Sequence, residues 1–264
     1  MGVALKGKIA LVTAASQGLG LACAKSLAEA GCAVAICGRR QEIVESARLD
    51  LEASSEQPVV GEIADLTRAA DLERLVSTVQ ERLGGLDILV VNSGHIPYGG
   101  LEDFEDEQWY QAFDLLLMSA VRLSRLAIPE MRRRGGGDIV FIGSSTVRNP
   151  PPHLLLSTVM RVGITGLAKT MARSLAGENI RVNVVLPGLF DTGRVAQRID
   201  DLMIERGLSR EEVVIAEFAG EVPMERIGAA EELAALLTFI VSRQAAYMTG
   251  TVITLDGGAD RSIL

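Results

Sequence analysis

Short apolar runs alternate with longer amphipathic segments along most of this chain. The runs occupy residues 9–13, 33–37, 59–63, 88–91, 139–142, 181–186 and 252–255. Each is four to six residues long and largely apolar at both odd and even positions, the pattern of strands covered on both faces. Between them, residues 18–30, 41–53, 68–83, 107–134, 154–175 and 230–241 repeat apolar positions at the helical period. Gly31, Gly84-Gly85 and Gly135-Gly136-Gly137 follow three of these segments and mark helix ends. Alternation of this kind predicts an α/β fold, with one doubly wound parallel sheet of about seven strands and helices on both faces.

No linker divides the chain and no solenoid period repeats, so residues 1–264 are expected to form a single domain. Residues 189–225 break the alternation: they are polar, carry helical patches and follow a strand. In a doubly wound sheet such excursions lie at the carboxyl edge, where ligands bind. This segment is therefore expected to be a substrate-covering lid, the alternative being an ordinary surface insertion.

Composition narrows the partners. Hydrophobic residues make up 48% of the chain but aromatics only 4%, so aliphatic side chains must build the core. Lys plus Arg is 26 and Asp plus Glu 34, a net charge of -8, which argues against non-specific nucleic-acid binding. Arg132, Arg133 and Arg134 end a predicted helix and residues 102–107 place acids before its start, both as the helix dipole favours. Cys23, Cys32 and Cys37 are odd in number and lack metal-ligand spacing, so neither a disulfide framework nor a metal site is expected, and a reducing cytoplasm is the default compartment. No signal-peptide pattern and no uncharged stretch of membrane-spanning length is present, so no membrane association is expected.

The first run leads into Thr13-Ala14-Ala15-Ser16-Gln17-Gly18-Leu19-Gly20 and then a helix. Glycines at such a turn let backbone approach a pyrophosphate, and the helix start offers N–H groups and a favourable dipole. This is the placement of a Rossmann dinucleotide-binding turn. A site for NAD(H) carries a carboxylate about 20 residues later to hold the ribose 2′-hydroxyl. Here the second run ends Ile36-Cys37-Gly38-Arg39-Arg40 without one. Two arginines suit a 2′-phosphate, so NADP(H) is expected over NAD(H).

These residues, with others downstream, resemble the short-chain dehydrogenase/reductases, and in overall sequence the 3-oxoacyl-carrier-protein reductases among them. That family's Thr-Gly-x-x-x-Gly-x-Gly is matched except that Ala14 replaces the first glycine. Asp65-Leu66 follows the third strand, and Val91-Asn92-Ser93-Gly94 is similar to the family's Asn-Asn-Ala-Gly. Ile142-Gly143-Ser144-Ser145 ends the fifth strand; Asn183, Pro187-Gly188 and Thr192 resemble the segment bordering the nicotinamide; Thr249-Gly250 and Asp256-Gly257-Gly258 resemble the last strand and its exit. The resemblance implies a cofactor site made of Ala14, Ser16, Gln17, Gly18, Leu19, Gly20, Arg39, Arg40, Asp65, Leu66, Asn92, Gly94, Arg161, Pro187, Gly188 and Thr192. It also implies a small-molecule substrate and a homodimer or homotetramer.

The same resemblance exposes a departure. The family uses a tyrosine as general acid or base, a lysine four residues later, a serine on strand five and an asparagine in the long central helix. Ser144 fits the serine. Ser157 stands at the tyrosine position, Arg161 at the lysine position and Leu116 at the asparagine position, with Gly163 to Lys169 supporting the register. A serine hydroxyl lacks a phenol's acidity, and an arginine does not lose a proton near neutral pH. His153, Ser157 and Arg161 are spaced i, i+4, i+8 and are expected on one helix face. His153 and Tyr98 are thus candidate substitute acids, with His95 nearby in sequence, and Arg148 is a candidate for an acidic substrate group. Three readings follow: an NADP(H)-dependent oxidoreductase with a non-standard proton donor, a non-catalytic nucleotide-binding homologue, or a non-redox isomerase or lyase on the same fold.

Overall fold

The structure is a computed structural model, describing residues 4–220 and 222–263, and the statements below concern these residues. Its strands are β1 (Ile9–Val12), β2 (Ala33–Gly38), β3 (Val59–Ile63), β4 (Ile88–Val91), β5 (Gly137–Ile142), β6 (Ile180–Pro187), β7 (Phe190–Asp191), β8 (Gly228–Ala229) and β9 (Val252–Leu255). The α-helices are α1 (Gly18–Glu29), α2 (Gln41–Ala53), α3 (Ala69–Leu83), α4 (Asp106–Ala112), α5 (Ser119–Arg133), α6 (Leu155–Leu175), α7 (Gly193–Arg206), α8 (Arg210–Val214) and α9 (Ala230–Ile240). Seven strands form one parallel sheet in the order β3-β2-β1-β4-β5-β6-β9. The order reverses between β1 and β4, which opens a crevice at their carboxyl ends.

The parity of each strand divides the core. Leu11, Leu89, Phe141 and Val184 face one layer with Leu75 of α3, Leu123 of α5 and Ala168 of α6. Val12, Val90, Val140 and Val185 face the other with Leu27 of α1, Leu51 of α2 and Leu237 of α9. Both parities are apolar because both faces are covered, as the sequence pattern required.

Two features depart from the expected elements. The helix expected over 107–134 is α4 and α5 joined by a π-helical turn, Phe113–Met118. A hydrophobic period averaged over several turns reads through such an interruption, so the sequence did not reveal it. Residues 189–225 gain short anchors at their ends, where Phe190 pairs with Gly228 and Asp191 with Ala229 in parallel. Between these anchors, Ile199 and Leu202 of α7 and Val213 of α8 form a small core of their own. Among the described residues no helix is long and apolar enough to cross a membrane.

Opposite the crevice, Asp87 fixes the start of the sheet. Its side chain is 2% exposed and pairs with Lys8 Nζ at 3.0 Å and Arg134 Nε at 2.9 Å. It also accepts the Ile9 N–H at 2.9 Å. Removing a buried carboxylate strands those donors. Asp87→Ala is therefore expected to lower unfolding free energy by about 3 kcal/mol in denaturant titrations, with Asp87→Asn costing less.

Candidate nucleotide cleft and active site

The turn after β1 is held by backbone and one amide. Thr13 Oγ1 donates to Asn92 O at 2.6 Å and accepts Asn92 N–H at 3.0 Å, so β1 and β4 are locked side by side. Asn92 Nδ2 donates to Ala14 O at 3.0 Å. Gly20 lies directly beneath: a Cβ there would sit 2.7 Å from Ala14 O and 2.8 Å from Asn92 Nδ2. Only glycine fits that approach of helix to turn. Ala14 itself has φ +46°, a conformation that glycine adopts without a Cβ penalty. The resemblance had marked this position as a departure, and the fold keeps the conformation while bearing the strain.

Helix α1 begins with Gln17 as N-cap and no side-chain cap, so its first N–H groups are left for another partner. They open onto a cleft of about 810 Å³. Of the residues expected to bind cofactor, Ala14, Ser16, Gln17, Gly18, Leu19, Arg39, Arg40, Asp65, Leu66, Asn92, Gly94 and Thr192 line this cleft. At Gly94 nothing lies within 4 Å of a built Cβ, so the wall there is open space. Thr192 closes over Gly18, its Cγ2 lying 3.8 Å from where a Gly18 Cβ would be. Arg39 and Arg40 are exposed at the end of β2, and Arg40 Nη2 donates to Gln17 Oε1 at 3.4 Å. A bound dinucleotide fits this donor set, with uncapped N–H groups for the pyrophosphate and two cations beyond them.

Four expected cofactor residues are not brought to the cleft wall. Gly20 serves beneath the turn. Gly188 follows β6, its N–H donating to Leu255 O at 2.9 Å, and Pro187 is the last residue of that strand. Arg161 is turned to another use. Its Nη1 donates to Ile142 O and Gly143 O, both at 2.8 Å, and its Nε donates to Ser157 Oγ at 3.1 Å. The guanidinium thus braces α6 against the end of β5. Burial pushes its pKa down to about 10, so it stays charged at neutral pH.

Ser144 caps the short turn Ser145–Val147, its Oγ accepting Thr146 N–H at 3.3 Å. Leu116 sits in the π turn, 1% exposed, packed with Ile96, Leu156 and Met160. An apolar plug stands where the resemblance placed an asparagine. The expected shared face of His153, Ser157 and Arg161 holds only for the last two, because His153 precedes the helix N-cap Leu154. His153 instead packs on Tyr98, ring centroids 6.1 Å apart, and Tyr98 packs on His95 at 4.9 Å. The loop after β4 is stitched to the start of α6 by Gly99 N–H to His153 O at 2.8 Å, which makes this ring cluster. His95 lines the cleft. Arg148, the candidate for an acidic substrate group, is engaged within the chain, with Nε 3.5 Å from Asp260 Oδ2 and Nη1 donating to Ser262 Oγ.

Sequence reasoning missed Gly38, whose built Cβ would lie 2.8 Å from Ser16 Oγ, so that its bareness seats the turn. It also missed Cys37 and Leu115 as cleft walls. Their only signal was apolar character, which the strand and helix patterns had already absorbed.

A doubly wound parallel sheet with a glycine turn at its switch point defines a dinucleotide-binding protein. The family model for Enoyl-(Acyl carrier protein) reductase matches residues 13–260. Dehydrogenase/reductase SDR family member 4 of Oryctolagus cuniculus is 36% identical over 256 residues, covering 97% of this chain and 94% of that one. L-sorbose reductase from Gluconobacter frateurii, solved with NADPH and L-sorbose, superposes with TM-score 0.95 at 30% identity over 100% of both chains. An NADPH-bound short-chain oxidoreductase from Pseudomonas aeruginosa PAO1 containing an atypical catalytic center superposes at 0.90 with 28% identity, covering 99% of this chain and 100% of that one. The chain belongs to the short-chain dehydrogenase/reductase family.

Two substitutions test the turn. Ala14→Gly relieves the strained φ and is expected to raise stability by about 0.5–1 kcal/mol, after the loss in unfolded-chain restriction is subtracted. Gly20→Ala is expected to lower the thermal midpoint and abolish nucleotide binding together, because the added methyl meets backbone. Differential scanning fluorimetry with and without nucleotide reads both effects.

Proposed function

We propose that this protein is an NADP(H)-dependent oxidoreductase acting on the carbonyl/alcohol pair of a small molecule, with a proton donor other than a tyrosine–lysine pair. The observation that carries the reading is the cleft. An uncapped helix start faces it, and Gly38, the last residue of β2, is followed by Arg39 and Arg40 rather than by a carboxylate. In this reading Gly18 and Leu19 hold the pyrophosphate, the two arginines the 2′-phosphate, and Asp65 and Leu66 the adenine. Asn92, Gly94 and Thr192 border the nicotinamide half. When bound, the reduced cofactor supplies a hydride.

Ser144 and Ser157 hold the substrate oxygen and stabilise charge that develops there. The exposed rings of His95, Tyr98 and His153 pass protons between solvent and product. Residues 189–225, anchored at β7 and β8, cover the substrate. Val159 and Val162 of α6, 44% and 47% exposed, give α6 a face suited to a second copy in a homodimer or homotetramer. Three free thiols fit the reducing cytoplasm. NADPH in both solved neighbours supports the choice of cofactor.

The rival reading is a nucleotide-binding protein without catalysis, favoured by the plug at Leu116. Titration with NADPH and NADH by fluorescence, followed by cofactor oxidation with a carbonyl panel, separates the two. Tight NADPH binding with turnover is the expected result; binding without any turnover supports the rival, and no binding of either nucleotide overturns both. Replacing Arg39 and Arg40 by Ala is expected to weaken NADPH binding about 10- to 100-fold while NADH changes less than about twofold.

A further inference from the structure

The loop that follows β3 is built mostly from local bonds. Ala64 N–H donates to Gly38 O at 3.0 Å, and Asp65 N–H donates to Asp71 Oδ2 of α3 at 2.9 Å. Thr67 donates twice to Asp65 Oδ1, from its N–H at 2.9 Å and from Oγ1 at 2.8 Å, so Thr67 sets the direction of that carboxylate. Thr67 itself is held from outside the loop, by α5. Arg122 Nη1 donates to Thr67 O at 3.1 Å, across 55 residues of chain. The other arm of the same guanidinium, Nη2, donates to Asp114 Oδ1 at 3.0 Å, in the π turn. Each anchor is one residue away from a wall of the cleft: Thr67 follows Leu66, and Asp114 precedes Leu115. The π turn makes the second anchor reachable. Asp114 and Arg122 are eight residues apart. At about 3.6 residues per turn, that separation leaves two side chains ~80° apart around an unbroken α-helix. A π turn takes up about one extra residue and brings them onto nearly the same face.

Building on the reading of this cleft as a nucleotide site, we infer that Arg122 is a positioning residue for the adenine end of the cofactor: it fixes the wall at Asp65 and Leu66 relative to the wall at Leu115, and so sets how closely the cleft fits the base. Arg122 does not itself line the cleft, so it acts through Thr67 and the π turn. The wall at Asp65 and Leu66 needs such a brace, because residues 64–68 belong to no helix or strand. The stakes are set by dispersion: a gap of about 0.5–1 Å at one face of a flat base forfeits about a quarter to a half of the contact there. A guanidinium suits the task, since its planar fork holds two acceptors in a fixed geometry, whereas an ammonium is a point charge. The ion pair with Asp114 contributes little alone, because Asp114 is 43% exposed. The bond to Thr67 O spans two elements and is strengthened by the donor's charge.

The test compares NADPH with its 1,N6-etheno analogue, whose base carries an extra ring, by isothermal titration calorimetry. The wild type is expected to bind NADPH at least about tenfold tighter than the analogue. In Arg122→Met, which keeps an apolar stem, NADPH is expected to bind about tenfold more weakly and the analogue less than about threefold more weakly, so the preference for adenine falls. Arg122→Lys is expected to lie between the wild type and Arg122→Met. Asp114→Asn, which leaves the bond to Thr67 O in place, is expected to weaken NADPH only about two- to threefold. The thermal midpoint without nucleotide reports the folding of each variant. Equal weakening of NADPH and the analogue in Arg122→Met, or weakening of neither, overturns the inference while leaving the nucleotide reading intact. So does a wild type that binds the two equally. Should Arg122→Met fail to fold, Arg122→Lys carries the same comparison, and a full wild-type preference for adenine in that variant overturns the inference. A wild type that binds neither nucleotide overturns the cofactor reading and the inference together.

Discussion

The contact on which the molecule depends is the knot at the carboxyl ends of β1 and β4. Thr13 and Asn92 exchange hydrogen bonds across the two strands, and the Asn92 amide reaches on to Ala14 O. This holds the turn so tightly against α1 that Gly20 has no room for a methyl. Because the strand order reverses at this pair, a rigid knot here also creates the crevice beside it. The strain at Ala14 is borne where the knot over-determines the backbone, at the point where a nucleotide would rest. Packing of the sheet from both faces supplies the stability that such a turn draws on.

Arg161 shows how one side chain can tie a helix to the end of a strand. A guanidinium is planar, permanently charged and rich in donors, so it can satisfy two carbonyls and a hydroxyl at once. That makes it a brace between α6 and β5 and removes it from proton transfer. Leu116 fills the π turn with a buried hydrocarbon side chain. The guanidinium and the Ser157 hydroxyl thus lie at the end of β5, and the rings of His95, Tyr98 and His153 lie together on the loop after β4 and before α6.

The segment after β6 is built differently from the body. Ile199, Leu202 and Val213 pack among themselves, apart from the two layers of the sheet. The segment is tied down by the β7–β8 pairing and by Arg210 Nη2 at 2.7 Å from Asp191 Oδ2. Exposed ion pairs of this sort contribute little energy. The tail after β9 is likewise held by Asp260 and Ser262 on Arg148, in the loop that follows Ser144.

By itself the sequence determined the layer architecture and the position of the nucleotide turn. Burial on both faces forces apolar residues at both parities of each strand, and a tight strand-to-helix turn forces glycine; both constraints are local and leave direct marks in the chain. It also marked Ser157, Arg161 and Leu116 as departures from a known pattern. What those residues do was decided only in three dimensions. Arg161 spends its donors on Ile142 and Gly143, distant in sequence, and the Tyr98 ring meets His153 through a loop joined to α6. The π turn at Phe113–Met118 and the pairing of β7 with β8 were hidden for the same reason. A hydrophobic pattern records which residues are buried, whereas the partner of a polar group depends on which strands and loops the fold brings together.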